Sequence, residues 1–412
     1  MKTLNYIDLF AGAGGLSEGF IRQGFHPIAH VEMNKEACDT LKTRLAFHYL
    51  SENGRTEVYV KYLKNKITKE ELWNAVPEKL INSVINDEIS SASIQNIFQI
   101  IDAQLSNKKI DIIIGGPPCQ AYSLVGRSRD PKRMIGDKRN YLFRYYAEFL
   151  KRYKPKYFVF ENVLGLLTAG NRKYLDEMIN LFTKIGYSTD LQVLNAEEYG
   201  VLQKRRRVVI IGQRGSKPFT FPELSKVSNS YELMRDLFYD LPTLQPGQEL
   251  SIAKYTRPIN KYLKETSTRN GIGFVTQHIT RQHNKRDLEI YSIAIKKWLN
   301  NKERLRYDEL PTRLQTHQKK NIFLDRFKVV DPKGHSHTVV AHIAKDGHYY
   351  IYPDPVQVRS ISVREAARIQ SFPDDYFFEG GRTQAFKQIG NAVPPLMAFA
   401  IAKKIYQLLN GK

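Results

Sequence analysis

The sequence predicts an α/β fold, with a doubly wound sheet in the first half of the chain and a smaller, mixed second domain after it. Three observations carry this. Short β-rich runs alternate with longer amphipathic segments up to about residue 215. Beyond Gly215 the alternation stops, and Pro218, Pro222, Pro242, Pro246 and Pro258 punctuate short mixed segments. The 412 residues are enough for two or three units at roughly 100 to 200 residues per domain. With 42% apolar and 25% charged residues, the composition is that of an ordinary globular protein, which excludes disorder for most of the chain.

The expected strands are Leu4 to Phe10, Pro27 to Glu32, Lys109 to Gly115, Lys156 to Phe160 and Val208 to Gly212. Leu16 to Gly24, Asn34 to Tyr49 and Arg139 to Tyr153 have helical spacing between them, with Asn34 placed to cap the second. That rhythm predicts a parallel sheet. The polar, helix-prone stretch from about Leu45 to Gln104 interrupts the alternation and is expected to be an insertion without chemistry of its own. The last stretch, Pro395 to Leu409, is apolar enough to pack back on the first domain. No internal repeat or low-complexity tract is visible.

Sixty-three Lys and Arg against forty-two Asp and Glu leave a net charge of +21, and polyanions are the natural partners of such a surface. The segment Ser251 to His337 concentrates the excess, with 19 basic against 8 acidic residues and aromatics interleaved. Two cysteines, Cys38 and Cys119, are too few for a disulfide scaffold and suggest a reducing, cytoplasmic setting. No stretch approaches the roughly 18 apolar residues of a membrane span, so membrane roles are not expected.

The chemistry-bearing motifs sit where open α/β sheets place their sites, at the carboxyl ends of strands. Asp8 to Gly15, DLFAGAGG, joins a strand to a helix through glycines that let the backbone approach a nucleotide-like cofactor; a tight turn would use the same residues. Glu32 ends the next strand, where an acid can bind a ribose hydroxyl pair or simply face solvent. Gly115-Gly116-Pro117-Pro118-Cys119-Gln120 forms a rigid loop, an odd setting for a packing cysteine but a suitable one for a thiolate aimed at a substrate. Cys38, inside a helix, is expected in the core. Glu161 follows the apolar run Phe158-Val159-Phe160, and burial there favours a protonated carboxyl able to donate a hydrogen bond. In Gln203-Lys204-Arg205-Arg206-Arg207, strand alternation sends Arg205 and Arg207 to one side and Arg206 to the other, unless the run is only a solvated face.

In this order, DLFAGAGG, GGPPCQAYS, ENV, QKRRR, RSISVREAARIQSFPDDY and QIGNAVPP resemble the motifs of the cytosine-5 DNA methyltransferases, leaving only the insertion and Pro218 to His337 uncovered. The resemblance implies a Rossmann-like, S-adenosylmethionine-dependent methyltransferase sheet with a smaller, mixed target-recognition domain. Residues 1–215 would be catalytic and cofactor-binding, 216–385 would recognise the target, and 386–412 would return to the first domain. It implies transfer of a methyl group to carbon 5 of a cytosine that has been flipped out of a duplex. Cys119 would add to carbon 6, Glu161 would hydrogen-bond ring nitrogen 3, Arg207 would orient the ring, and Arg205 would support the cysteine loop. Gln120 and Ser123 would contact the DNA. Phe10, Gly12, Gly14, Glu32, Asp87 and Leu142 would hold S-adenosylmethionine, with Asn391 closing the pocket, although Asn86-Asp87-Glu88-Ile89 departs from the family's usual Gly-Asp-Ile.

Arg364, Glu365, Arg368 and Gln370 fit a helix that organises the second lobe. Double-stranded DNA is the implied partner, with a cognate restriction endonuclease acting on the same site and a monomeric enzyme. Three rivals share some of these features. They are a non-catalytic DNA-binding relative, an RNA (tRNA) methyltransferase of the same family, and a zinc enzyme built on His335, His337, His342 and His348, which lack a zinc-like spacing.

Overall fold

The computed structural model describes residues 3–118, 141–227, 230–316 and 324–411. In the first half, β1 (Leu4–Leu9), α1 (Gly15–Arg22), β2 (Phe25–Glu32) and α2 (Lys35–Glu52) follow one another closely. The Asn34 side chain accepts from the Ala37 N–H and so starts α2. Three short helices come next, α3 (Thr56–Leu63), α4 (Lys69–Asn74) and α5 (Glu78–Asn82), then β3 (Val84–Asn86), α6 (Ile94–Leu105) and β4 (Ile112–Gly115). After the cysteine loop come α7 (Leu142–Tyr153), β5 (Tyr157–Asn162), α8 (Lys173–Lys184), β6 (Tyr187–Asn195), the short β7 (Gln203–Lys204) and β8 (Arg206–Arg214).

The main sheet has seven strands in the order β3-β2-β1-β4-β5-β8-β6. Its first five run parallel, but β8 is antiparallel to both neighbours, so the sheet is mixed and not wholly parallel as expected. One unexpected strand is β6, whose polar, half-buried sequence lacks an apolar alternation; β8 turns back between it and β5. The stretch 45–104 is likewise not an insertion throughout. Val84–Asn86 pairs in parallel with β2, and Ile94, Ile97 and Ile101 of α6 pack in the sheet's core, leaving α3 to α5 as the extra helices. A three-residue strand carries too little pattern to be seen in advance.

Alternation along the strands sends Ile7, Ile113, Phe158 and Ile210 to one face, where α6, α7 and α8 cover them, and Tyr6, Ile112, Ile114, Val159 and Ile211 to the other. The second face is covered by α1 and by the last helix, Pro395–Leu409, whose Met397, Ala398, Ile401 and Ile405 join that cluster. The two helices touch so closely that a Cβ on Gly19 would lie 2.4 Å from the Phe399 nitrogen. Phe221 and Leu224 also pack on this face, beyond the composition change at Gly215.

After β8 the chain forms β9 (Glu249–Ala253) and β10 (Val275–Ile279), which pair antiparallel, with α9 (Lys261–Glu265) between them, then α10 (Lys285–Asn301), β11 (Ser336–His337), α11 (Val363–Ile369) and α12 (Arg382–Asn391); this stretch is the second lobe, and the C-terminal helix is α13. Helix α11 starts on a Ser362–Glu365 capping box and is buried along its whole length. The lobes are stitched together where β11 pairs in parallel with β7.

Candidate active site

The order in which strands are laid down reverses between the parallel neighbours β1 and β4, the switch point of the sheet, and the loops leaving these two strands carry the glycine motifs. After β1 the backbone is left-handed at Phe10, Gly12 and Gly14, with φ of 57°, 54° and 79°. At Gly14 a Cβ would also sit 2.7 Å from Leu41 Cδ2 and 2.9 Å from the Tyr376 hydroxyl, so a side chain there would have to displace both. The loop leans on Glu32, whose Oε2 accepts from the Gly12 N–H at 2.9 Å and whose Oε1 accepts from the Asn34 N–H at 2.8 Å. The Asp87 N–H donates to the Glu32 main-chain carbonyl at 3.1 Å, so the altered Asn86-Asp87 sequence still brings Asp87 beside Glu32. Leu142 opens α7, flanked by Tyr141 and Phe143, which pack in the same cluster as Phe10. Cys38 is buried under this edge as expected, with burial pushing its thiol up to about 12.

The far end of the chain closes on the same loop. A Cβ on Gly15 would lie 2.2 Å from the Val393 carbonyl oxygen, which puts Asn391, the exposed last residue of α12, within two residues of this contact. Arg205 holds that segment, donating to the carbonyls of Ala392 at 2.8 Å and Gly390 at 3.3 Å, on either side of Asn391, and to Val339 at 2.6 Å. Gln203 and Gln370, joined at 2.8 Å, complete the junction, and Gln370 also donates to the Ile389 carbonyl. The family resemblance gives Arg205 to the cysteine loop and the adduct; its clamp on Gly390, 185 residues away, and on Ala392 has no local signature.

On the other side of the switch point, Glu161 ends β5 and receives Arg207 Nε on its Oε1 at 2.8 Å. Burial pushes the Glu161 carboxyl above its ordinary range, while Arg207 and then Arg205 pull it back. Arg205 is buried, Arg206 exposed and Arg207 half-buried, the alternation a strand imposes. The loop from β4 is seated directly on this pair. A Cβ on Gly116 would lie 2.7 Å from Glu161 Oε2, and Asn162 Nδ2 donates to the Pro117 carbonyl at 3.3 Å. Asn162, in the motif ENV, thus ties the end of β5 to the Pro-Pro loop, a contact its motif alone does not announce. Cys119, Gln120 and Ser123 lie outside the described residues.

The chain matches the C-5 cytosine-specific DNA methylase family over residues 4–68 and 78–407. It belongs to that family. This chain is a DNA (cytosine-5-)-methyltransferase. The methylase is 43% identical to the type II methyltransferase M.Bpa9945I of Bacillus paralicheniformis, over 98% of this chain and 99% of the relative. It is 32% identical to the type II methyltransferase M.DdeI of Desulfomicrobium norvegicum, over 98% and 88%. Among solved structures, a prophage-encoded E. coli protein aligns over 99% of the methylase and all of its own chain, with TM-score 0.61 and 23% identity. The Entamoeba histolytica methyltransferase EhMeth aligns over 99% of each chain, with TM-score 0.55 and 15% identity. These two likenesses support the α/β fold of the methylase.

The residues present fit the methyl donor that the family uses. A Cβ built on Gly12 meets nothing within 4 Å, so the outer side of the loop is open. Glu32, pinned by two main-chain N–H groups, keeps further lone pairs for a ribose diol. The histidines that could suggest zinc go separate ways. His335 meets Glu197, His348 meets Tyr291, His337 meets the Tyr349 carbonyl and His342 packs edge-on against the Tyr349 ring. Among the described residues no helix is long and apolar enough to cross a membrane.

Proposed function

We propose that this methyltransferase modifies one cytosine within a specific duplex DNA sequence, as the modification partner in a type II restriction–modification system. The names of the relatives at 43% and 32% identity support this setting. The observation that carries the chemistry is the Glu161–Arg207 pair at 2.8 Å, with the start of the Cys119 loop resting on it.

Phe10, Gly12, Gly14, Glu32, Asp87, Leu142 and Asn391 would hold S-adenosylmethionine. When bound, that cofactor supplies an electrophilic methyl group. Carbon 5 of cytosine is a weak nucleophile, so the Cys119 thiolate adds to carbon 6, forming a C–S bond and pushing electron density towards carbon 5. Glu161 donates its proton in a hydrogen bond to ring nitrogen 3, where negative charge develops, and the burial that raises its carboxyl makes that proton available. Arg207 fixes the carboxyl and orients the ring, and Arg205 keeps the Asn391 segment against the cofactor loop. Loss of the carbon 5 proton to water or hydroxide and departure of Cys119 then restore the aromatic ring. The base must first leave the duplex, at roughly a few kcal/mol, offset by contacts from a surface of net charge +21, with Gln120 and Ser123 on the DNA. The working enzyme is a cytoplasmic monomer, and an endonuclease of the same specificity accompanies it.

Bisulfite sequencing of plasmid DNA from cells expressing the protein tests the reading. A single sequence context should be protected, and Cys119→Ala should abolish protection and the covalent adduct with 5-fluorocytosine DNA. Glu161→Gln should slow single-turnover transfer about 100-fold or more, the scale of a lost charge-stabilising donor. Protection that survives Cys119→Ala would overturn the mechanism.

A further inference from the structure

A buried ionic cluster lies under the glycine loop, and the methyl transfer makes no direct use of it. Arg44, on α2, donates from Nη2 and Nε to Glu18 of α1 at 2.6 and 2.9 Å, and from Nη1 to Asp375 Oδ1 at 2.8 Å. His48 Nε2 meets the same Glu18 at 3.0 Å. The Glu18 and Asp375 side chains are each 1% exposed. Burial pushes Glu18 up, yet Arg44 and His48 prevail and hold it well below the usual carboxylate range. Tyr59 of α3 steadies the other end, donating to the Asp375 carbonyl at 2.7 Å.

Three consecutive residues connect this cluster to everything around it. Asp374 takes Arg368 of the second-lobe helix α11, with Nε to Oδ1 at 2.9 Å and Nη2 to Oδ2 at 2.6 Å. Asp375 takes Arg44 of the large lobe. The Tyr376 ring lies under the Arg44 guanidinium, 4.7 Å from its centroid, and the Tyr376 hydroxyl donates to the main-chain carbonyl of Ala13, inside the glycine loop. The Arg364 guanidinium fixes the Tyr376 backbone at 2.9 Å. The loop has three left-handed residues in five and no regular hydrogen-bond ladder to hold its shape, so a buried brace from below is the kind of support it requires.

We propose that Asp375 and Tyr376 are positioning residues of the cofactor site, through which the second lobe holds the Phe10–Gly14 loop in its binding shape. The proposal rests on the reading that this loop takes S-adenosylmethionine. Neither side chain needs to touch the donor; Tyr376 acts through the Ala13 carbonyl, and Asp375 acts through Arg44, which stacks on Tyr376 and anchors α1 at Glu18.

The test uses the full-length protein and Tyr376→Phe, which keeps the ring and removes one hydroxyl. S-adenosylmethionine binding by calorimetry should weaken about 3- to 10-fold, the effect of one buried hydrogen bond. The KM for the donor should rise with it, while kcat and DNA affinity in the absence of donor stay within twofold. Tyr59→Phe, a milder cut at the other end of the brace, should shift donor binding in the same direction by less, and carries the test if Tyr376→Phe does not fold. Glu32→Ala serves as the reference for the cofactor reading. If Glu32→Ala loses donor binding while both tyrosine variants bind within twofold of the parent and merely melt earlier, the brace is only structural and the proposal falls. If Glu32→Ala also binds normally, the loop is not the donor site, and the cofactor reading falls with the proposal.

Discussion

The two lobes are held together by different physics. In the large lobe, strand after strand is apolar on both faces, with Ile113, Phe158 and Ile210 on one side and Ile112, Val159 and Ile211 on the other, each 0% exposed. In the second lobe an apolar cluster that includes Leu237, Ile361, Ile369 and Phe372 shares the interior with buried charge. Arg359, Arg364 and Arg368 are also each 0% exposed, and the helix that carries the last two, α11, has no solvent-facing side. Arg359 meets Glu365 twice at 2.8 Å, Arg368 reaches Asp374 at 2.6 Å and Asp240 at 2.7 Å, and Arg364 donates to the carbonyls of Thr276, Pro373 and Tyr376. Apolar burial stabilises in proportion to area and tolerates small changes of shape. A buried ion pair contributes little net stability over an apolar substitute but is severely damaged when one partner goes, because the other charge stays buried. A lobe of short, irregular segments is thus given one geometry by its arginines, while the sheet needs only the right volume.

The difference can be followed with the chain's two tryptophans, which lie in different apolar clusters, Trp73 on α4 where the first half of the chain meets Ile272 and Phe274, and Trp298 on α10 inside the second lobe. The largest effect is expected from Arg368→Ala, which takes a buried cation from Asp374 and Asp240 and leaves them with Tyr255 and Arg269. A loss of about 3 to 5 kcal/mol should appear in denaturant unfolding, with Trp298 fluorescence changing before that of Trp73 and the Tyr376 brace weakening with it. Coincident transitions with a loss under about 1 kcal/mol would show that the arginine hub does not hold the lobe.

A smaller effect is expected from acid. Burial holds the imidazoles of His278, His283 and His337 in the second lobe at about 4, and that of His30 in the large lobe at about 3. Each folded value lies below the unfolded one, so between these values the unfolded chain binds more protons. The stability linked to neutral imidazole is complete above about pH 6.5 and is lost as the pH falls towards 4, at up to about 1.4 kcal/mol per histidine per pH unit. Trp298 melting should therefore fall more steeply than Trp73 melting between pH 6.5 and 5, and His278→Gln should flatten the Trp298 profile. Parallel profiles from the two probes would remove the histidines from the contrast.

The smallest effect belongs to the apolar sheet. Ile113→Val should cost about 0.5 to 1.5 kcal/mol and should leave the pH dependence of both probes unchanged.

The site was more legible in the sequence than the lobe that surrounds it. Glu161, Arg207, Glu32 and the glycines sit at strand ends, where local pattern and short-range geometry place them, and the Glu161–Arg207 pair joins adjacent strands of one sheet. Asp87 lies beside Glu32 despite a departing motif, since β3 pairs with β2 whatever follows it. The second-lobe hub escaped notice because a buried arginine and an exposed one are the same letter in a sequence, and only contacts more than 100 residues away distinguish them, as with Arg368 and Asp240.

The sequence by itself determined the α/β class, the strands β1, β2, β4 and β5, the capped start of α2, and the order of the motifs along the carboxyl edge of the sheet. These follow from periodicity and from residue chemistry within a few positions. Tertiary structure alone decided that β8 runs antiparallel, that α6 belongs to the sheet's core, that Arg205 clamps the Asn391 segment, and that the Tyr376 hydroxyl meets the Ala13 carbonyl of the glycine loop from 363 residues away. Each of these depends on partners brought together only when the chain closes, and a buried polar group takes whichever partner the packed fold puts within reach.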